Sequence, residues 1–203
     1  MKLYYAPRTR SVRARWLLEE LGVDHELVTV NLTEGEHKQA DYLKIHPLGR
    51  VPALLDGELA LFESGAICLY LADKHLKKGL APKVDTPARG TYYAMMALAM
   101  SELDPTVALI FDHRRSKVDS SPVLDRAKAK WSDALLYLEG VLLDRRPWIL
   151  GEDFSAADIM IGSVLIWAQA MGLLGEHAHV EAYVGRLVSR PAYHVAAGIA
   201  PAS

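Results

Sequence analysis

A glutamate and a serine, Glu63 and Ser64, stand directly before an apolar stretch with helical spacing. Free backbone N–H groups and the helix dipole make the start of a helix favourable for an anion. Glu63 beside it could accept a hydrogen bond from an ammonium group. The pair therefore predicts a site for a zwitterion, although an ordinary helix cap with a solvated glutamate would have the same sequence.

A second candidate binding element is the Val51-Pro52 pair before a strand-like segment. If this bond is cis, the bend turns the amide and carbonyl of Val51 outward, where they can pair with an extended peptide as an added strand would. The alternative is a trans proline that merely opens the next strand, and most X-Pro bonds are trans.

Composition excludes several classes of protein. The single cysteine, Cys68, cannot form an internal disulfide, so we expect a reducing, cytoplasmic location, and its spacing from Ser64 indicates a small core residue. A net charge of -2 provides no basic field for nucleic acid. The longest apolar segment, residues 159–174, is too short for a membrane span. We therefore expect no nucleic-acid or membrane partner, and no metal site is predicted.

The first part of the chain alternates strand-like and helical segments. We expect strands at 2–5 and 25–30, helices at about 12–21, 40–44 and 64–75, and a hairpin around Asp56-Gly57. The spacing of the first two strands fits a right-handed parallel crossover. Ser64 is expected to cap the helix that follows it. This order predicts a thioredoxin-like α/β domain over residues 1–77.

The second part of the chain has the pattern of an all-α domain. Residues 78–87 have the composition of an interdomain linker. Residues 88–203 are expected to form the helical C-terminal domain, with helices at about 87–109, 122–143, 156–171 and 180–189. Ser155 and Asp158 have the spacing of a capping box, so replacing Asp158 with Ala should cost about 0.5–2 kcal/mol of stability.

Three patterns in a fixed order resemble the glutathione transferase family, including its bacterial, theta-like, phi-like and beta-like classes. They are the segment 7–20, the segments 35–38, 46–54 and 63–67 taken together, and the Phe154-Ser155-Ala156-Ala157-Asp158 stretch. Each pattern alone is a weak signal for this family, but the three patterns in this order are a specific one. The resemblance implies a thioredoxin-like α/β N-terminal domain followed by an all-α C-terminal domain.

The same resemblance implies that a hydroxyl group activates the thiol of glutathione. Ser11 is the first choice in the beta-like register, Thr9 fits the theta-like register, and Tyr5 corresponds to the tyrosine-type classes. One charge-assisted hydrogen bond contributes about 1.5–3 kcal/mol, enough to lower a thiol pKa by one to two units. Ser11 could instead simply cap its helix. The arginines nearby, Arg8, Arg10, Arg13 and Arg15, are expected to form mostly a solvated face.

The glutathione-binding residues implied by the resemblance lie in the first domain. They are His37, Lys38, Arg50, Val51, Pro52, Glu63 and Ser64, with Val51-Pro52 in the cis form. A small hydrophobic electrophile is expected between the two domains. A homodimer is also implied, assembled through the N-terminal domain of one chain and the C-terminal domain of the other, with Phe62 as a candidate contact.

The implied function is a detoxifying transferase in which the sulfur of glutathione attacks an electrophile. A glutathione-dependent peroxidase or isomerase starts from the same thiolate and stays open. Another alternative is a non-catalytic interaction protein on the same scaffold. A glutaredoxin-like reductase is disfavoured, because the first-helix segment contains no cysteine for a mixed disulfide.

Overall fold

The computed structural model describes residues 1–116, 121–143 and 146–199, and the chain forms two compact units. The first unit comprises Met1–Leu80 and the described residues from Ser189 onward, and the second comprises Ala81–Val188. Residues 117–120, 144–145 and 200–203, all within the predicted helical domain, lie outside the described residues.

The first unit contains a mixed sheet. The strands in its described residues are β1 (Lys2–Tyr5), β2 (Glu26–Thr29), β3 (Ala53–Asp56) and β4 (Leu59–Phe62), in the order β2-β1-β3-β4. β1 is parallel to β2 and antiparallel to β3, which pairs with β4 as the predicted hairpin. This sheet confirms the predicted βαβ unit followed by a hairpin.

Helices cover this sheet and supply its core. They are α1 (Ser11–Leu21), α2 (Ala40–Ile45) and α3 (Ser64–Lys74), with 3-10 turns at Glu36–Lys38 and Leu76–Lys78. α1 packs against α3, and both contribute fully buried side chains such as Trp16 and Ile67 to a core shared with the sheet. A short turn, residues 6–10, connects the carboxyl end of β1 to the start of α1, and the predicted hydroxyl groups lie along this connection.

The described residues of the second unit are mainly helical. The helices are α4 (Pro87–Leu98), α5 (Asp104–Arg115), α6 (Pro122–Leu143), α7 (Ala156–Ala170) and α8 (Ala178–Val188). A π-helical turn, Ala99–Leu103, joins α4 to α5 just before Pro105, a residue that has no N–H for a helical hydrogen bond. Helical structure continues to Arg115, past the predicted end at residue 109.

Two helical segments of this unit are strongly apolar. The run Pro87–Arg115 is long and apolar enough to span a membrane by length and composition, with a mean hydropathy of 1.4 in its best window. Of that window, 44% is buried inside the protein, and buried core helices of globular proteins pass the same criterion. The shorter α7 is the predicted core helix, and its residues from Ala156 to Gly162 are all buried.

The last described helix, α9 (Pro191–Ala197), packs against α1 in the first unit. Arg190 makes a bidentate ion pair with Glu20, through Nε to Oε1 at 2.5 Å and Nη2 to Oε2 at 2.7 Å. The indole N–H of Trp16 donates to the same carboxylate at 2.9 Å, and the Trp16 ring meets Tyr193 edge-on. The sequence analysis placed α9 in the helical domain, whereas its packing on α1, which includes this ion pair, makes it part of the first unit.

Candidate functional site

Two of the three predicted hydroxyl groups form one cluster at the end of β1. Ser11 Oγ donates to the carbonyl of Ala6 at 2.8 Å and accepts from the Ala6 N–H at 3.1 Å. Thr9 Oγ1 lies 2.7 Å from Ser11 Oγ and 2.8 Å from the same carbonyl. The turn that leads into α1 is thus fixed by hydroxyl groups that share a single main-chain acceptor.

These hydroxyl groups differ in exposure. Ser11 is fully buried, whereas Thr9 is half-buried and has a face toward solvent. Tyr5 is also buried, and its hydroxyl lies 3.5 Å from the carbonyl of Ala196 in α9, with the Arg15 guanidinium over its ring. Thr9 is therefore the candidate hydroxyl that a ligand can reach without rearrangement of the core.

The hydrogen bonds of Thr9 also bear on where its proton points. Each hydroxyl has one proton. Thr9 Oγ1 donates to the Ala6 carbonyl at 2.8 Å and accepts from the Ser11 N–H at 3.2 Å. Since Ser11 Oγ donates to the same carbonyl at 2.8 Å, that oxygen keeps a donor when the Thr9 proton turns to a ligand. The alternative that Ser11 acts as a helix cap is not supported, because the N-cap residue of α1 is Arg10 and no side chain caps it.

The start of α3 differs from the predicted cap. The N-cap is Glu63, whose backbone has φ 68° and ψ 118°, and Ser64 is the first helical residue, so the prediction that Ser64 caps α3 is wrong. A non-glycine residue in that region costs about 1–3 kcal/mol and is found mainly at functional sites. With this backbone, Ser64 is the first residue of α3 and does not precede it as a cap. Glu63 is exposed, and Ser64 is buried beside the free N–H groups of the first turn.

The arginines near α1 do not form a uniform solvated face. Arg8 and Arg10 are exposed and Arg15 is half-buried, but Arg13 is only 4% exposed. Its Nη1 donates to Ser64 Oγ at 3.4 Å. Helical spacing gives a signal for this burial, since Arg13 lies on the face of α1 that carries the apolar core residues.

The Val51-Pro52 bond is cis in the structure. Both residues lie outside the sheet, in the bend that leads into β3, and Val51 is half-buried. The neighbouring carbonyl of Arg50 accepts from the hydroxyl of Tyr42 at 2.6 Å, while the Arg50 side chain is exposed. Burial raises the pKa of Tyr42 to about 12, with a smaller contribution from Tyr4, so Tyr42 remains a donor that fixes the bend.

The polar loop with His37 and Lys38 lies against this bend. Lys38 Nζ donates to the carbonyl of Leu48 at 3.0 Å. Gly49 has φ 55°, and its Cα lies so close to the carbonyl oxygen of His37 that an added Cβ would overlap that oxygen. Among the described residues, the buried Nδ1 of His37 has no hydrogen-bond partner. The structure thus brings the predicted ligand residues of both loops to one place.

A buried histidine that the sequence analysis did not single out supports the same bend. His46 is 2% exposed, its Nδ1 accepts from the Leu48 N–H at 3.3 Å, and its ring packs on Phe62 at 4.9 Å. Burial, opposed by the charge of Glu63, lowers its pKa, which keeps Nδ1 available as an acceptor. A single histidine before a proline gave no sequence signal for this role.

A metal site, an apolar ligand site and a reactive cysteine are less well supported in the described part of the chain. No group of three or more His, Cys, Asp or Glu side chains there could hold a metal ion. Among the large apolar side chains of residues 87–115, Tyr92 and Met96 are buried in the core, while Met100 and Phe111 are partly exposed. Cys68 is fully buried, and burial raises its thiol pKa to about 12, against an opposing effect of Arg13.

Models of two protein-domain families match the chain. The model described as glutathione S-transferase, N-terminal domain, matches residues 1–73, and the model described as glutathione S-transferase, C-terminal domain, matches residues 121–186. The first match contains every predicted site residue.

Individual relatives match nearly the whole chain. Glutathione S-transferase GstA of Escherichia coli O157:H7 is 33% identical over 94% of each chain. Disulfide-bond oxidoreductase YfcG of Escherichia coli strain K12 is 30% identical over 94% of this chain and 91% of its own. The solved structure of a sphingomonad glutathione S-transferase complexed with glutathione has a TM-score of 0.80 at 31% identity, over 98% of both chains.

Proposed function

Because the chain belongs to the glutathione S-transferase family, we propose that its first unit binds glutathione and activates the thiol for attack on an electrophile. The observation that carries the proposal is the half-buried Thr9 hydroxyl, which the buried Ser11 and the Ala6 carbonyl hold at the start of α1. The sphingomonad relative with glutathione bound supports the choice of ligand.

The ligand would be held by the polar loop with His37 and Lys38, the bend at Val51-Pro52 and the start of α3. The main-chain groups of Val51 would pair with the cysteinyl part of glutathione, as an added strand does. Ser64 and the first N–H groups of α3 would bind the γ-glutamyl carboxylate, with Glu63 accepting from its ammonium group. His37 and Lys38 would face the glycyl carboxylate.

The reaction would begin with loss of the thiol proton to solvent. Thr9 would turn its proton from the Ala6 carbonyl to the resulting thiolate, while Ser11 keeps its own hydrogen bond to that carbonyl. The thiolate then attacks an electrophilic carbon, forming a C–S bond, and the electron pair leaves on the displaced group. A charge-assisted hydrogen bond of about 1.5–3 kcal/mol lowers the thiol pKa by one to two units. The electrophile is proposed to be small and hydrophobic.

Replacing Thr9 with Val should raise the pKa of the bound thiol by about one to two units, because the donor to the thiolate is lost while the volume is kept. The measurement is thiolate absorbance against pH in the glutathione complex. Glutathione affinity, measured by calorimetry at a pH below the thiol pKa, should change little.

Ser11→Ala is the matched control for this titration. It removes the acceptor of the buried Ala6 N–H and should cost about 1–3 kcal/mol of stability, while shifting the thiol pKa by less than Thr9→Val does. A larger shift in Ser11→Ala than in Thr9→Val would restore Ser11 as the activating residue. No shift in either variant would leave Tyr5 as the remaining candidate.

A second candidate function is disulfide reduction, which the similarity to the YfcG oxidoreductase favours. Since Cys68 is buried and is the only cysteine, glutathione must supply both sulfurs. Two glutathione molecules then reduce one disulfide to two thiols and are themselves oxidised to glutathione disulfide. Turnover of hydroxyethyl disulfide without turnover of aryl halides would favour this reaction. Retention on immobilised glutathione with no turnover of either would favour a binding protein.

A homodimer in the cytoplasm is also part of the proposal. Exposed apolar side chains on α6, including Leu136, Tyr137 and Leu143, support a self-association surface in the second unit. Cys68, reduced and buried, is compatible with a reducing compartment. Sedimentation at micromolar concentration should give twice the monomer mass of 22.4 kDa. A species at the monomer mass would rule out the dimer.

A further inference from the structure

His46 is a buried titratable group that the proposed reaction does not use. It ends helix α2, is 2% exposed, and donates its main-chain N–H to the Tyr42 carbonyl at 2.9 Å. Its ring lies on that of Phe62, with 4.9 Å between the ring centroids. The charge of a group buried in this way is governed by the protein around it, because water does not solvate the charged form.

The contact with Leu48 fixes where the ring of His46 carries its proton. A main-chain N–H can only donate, so His46 Nδ1 must accept from the Leu48 N–H, at 3.3 Å. In neutral imidazole one ring nitrogen accepts and the other carries the proton, which here is Nε2. In the charged form both nitrogens carry protons, and Nδ1 would direct an N–H at the N–H of Leu48. This hydrogen bond therefore exists only with neutral His46.

The same turn connects the two loops of the proposed ligand site. The carbonyl of His46 accepts from the Gly49 N–H at 2.7 Å, and Gly49 lies against the main-chain oxygen of His37. Two residues after this glycine, the chain forms the cis Val51-Pro52 bend. A change of charge at His46 would therefore disturb the turn that holds the polar loop against the bend.

Charged side chains from three neighbouring segments act on the ring of His46. Burial lowers the pKa of His46, and the carboxylate of Glu63, next to the start of α3, opposes this effect. Arg50 in the bend and Lys38 in the polar loop lower the same pKa further. The ring is therefore neutral at neutral pH, and it gains a proton only as the pH falls below the ordinary histidine value of about 6.5.

We propose that neutral His46 is a positioning residue for glutathione, so that protonation of this one ring weakens binding of the ligand. It acts through the turn that holds the polar loop and the cis bend together. The inference rests on the proposed function. Because the complex requires the neutral ring, affinity is constant above the pKa of His46 in the unliganded protein. Below that pKa it falls by up to about tenfold for each pH unit.

The test measures affinity for S-methylglutathione by calorimetry from about pH 7.5 to about pH 5, because this ligand has no thiol to titrate. Over this range the affinity of the wild type should fall about 3- to 10-fold more than that of His46→Asn. The Asn side chain offers an amide oxygen as acceptor and does not titrate. His37 would gain charge over the same range, but both proteins contain it, so their difference isolates His46.

Two further variants separate the acceptor from a general loss of a histidine. His25→Asn makes the same change at a half-buried histidine just before β2 and should keep the pH dependence of the wild type. His46→Ala offers no acceptor and should bind at least about 10-fold more weakly than His46→Asn at about pH 7.5. Equal affinities of His46→Ala and His46→Asn, or a changed pH dependence in His25→Asn, would count against the inference.

Titration of the His46 ring by NMR in the wild type is a test that needs no variant. The pKa of His46 should be lower in the complex with S-methylglutathione than in the free protein, and an equal or higher pKa would overturn the inference.

The outcomes also distinguish this inference from the proposed function. Identical pH dependence in the wild type and His46→Asn overturns the inference alone, and so does binding of glutathione without binding of its S-methyl derivative. If the wild type binds neither ligand, the proposed function fails and the inference with it.

Discussion

Replacement of Asp158 with Ala should lower the free energy of unfolding by about 3–5 kcal/mol, because four buried donors lose their acceptor. Oδ2 accepts from the N–H and the hydroxyl of Ser155, at 2.8 and 2.9 Å. Oδ1 accepts from the Ile149 N–H at 2.8 Å and the Tyr183 hydroxyl at 2.9 Å. The carboxyl group is fully buried, and burial raises its pKa against the effect of these hydrogen bonds.

This loss exceeds the 0.5–2 kcal/mol expected from the capping box alone. The box is present at the start of α7, but Asp158 also joins the loop at Ile149 and helix α8 through Tyr183. Urea unfolding measures the change, and glutathione affinity of the folded fraction should stay at the wild-type value.

Two variants are the controls for this measurement. Asp158→Asn keeps one acceptor and turns an NH2 group toward donors, so its stability should lie between those of the wild type and Asp158→Ala. Asp153→Ala removes an exposed carboxylate nearby and should change stability by less than about 0.5 kcal/mol. Coincident unfolding curves for Asp158→Ala and Asp153→Ala would contradict the central role of Asp158.

Gly49→Ala should destabilise the first unit by about 2–4 kcal/mol and weaken glutathione binding at least about 10-fold. The φ of 55° is unfavourable for a residue with a side chain, and the new methyl group overlaps the carbonyl oxygen of His37. It also comes within 3.0 Å of side-chain atoms of Leu43 and Lys38. Since the His37 oxygen is main-chain, relief requires the two loops that carry the proposed ligand residues to move apart.

Gly57→Ala separates the clash from the backbone effect. Gly57 has nearly the same φ, 61°, but nothing lies within 4 Å of an added Cβ in its hairpin turn. It should lose only about 1–2 kcal/mol and keep its glutathione affinity. Thermal unfolding and calorimetry on both variants provide the comparison. Equal affinities for Gly49→Ala and Gly57→Ala would show that the contact between the loops does not position the ligand residues.

Local sequence determined most of the elements in the first unit. The strand at Lys2–Tyr5 and the hairpin around Asp56-Gly57 follow from period-two patterns and turn residues, which depend on near neighbours. The capping box at Ser155 and Asp158 is a spacing of the same kind. These signals are local, so one sequence was enough to read them, and the motifs in fixed order were enough to identify the family.

Only the tertiary structure decided which side chains meet. All three hydroxyl groups fitted the chemistry from the sequence, with Ser11 as the first choice, and the proposed order changed only when Ser11 proved to be buried against Ala6 and Tyr5 to lie against α9. The burial of Arg13 beside Ser64 depends on contact between α1 and α3 across 51 positions of sequence. Helical spacing places Arg13 on the apolar face of α1, but it does not show which side chain of another helix packs over that face.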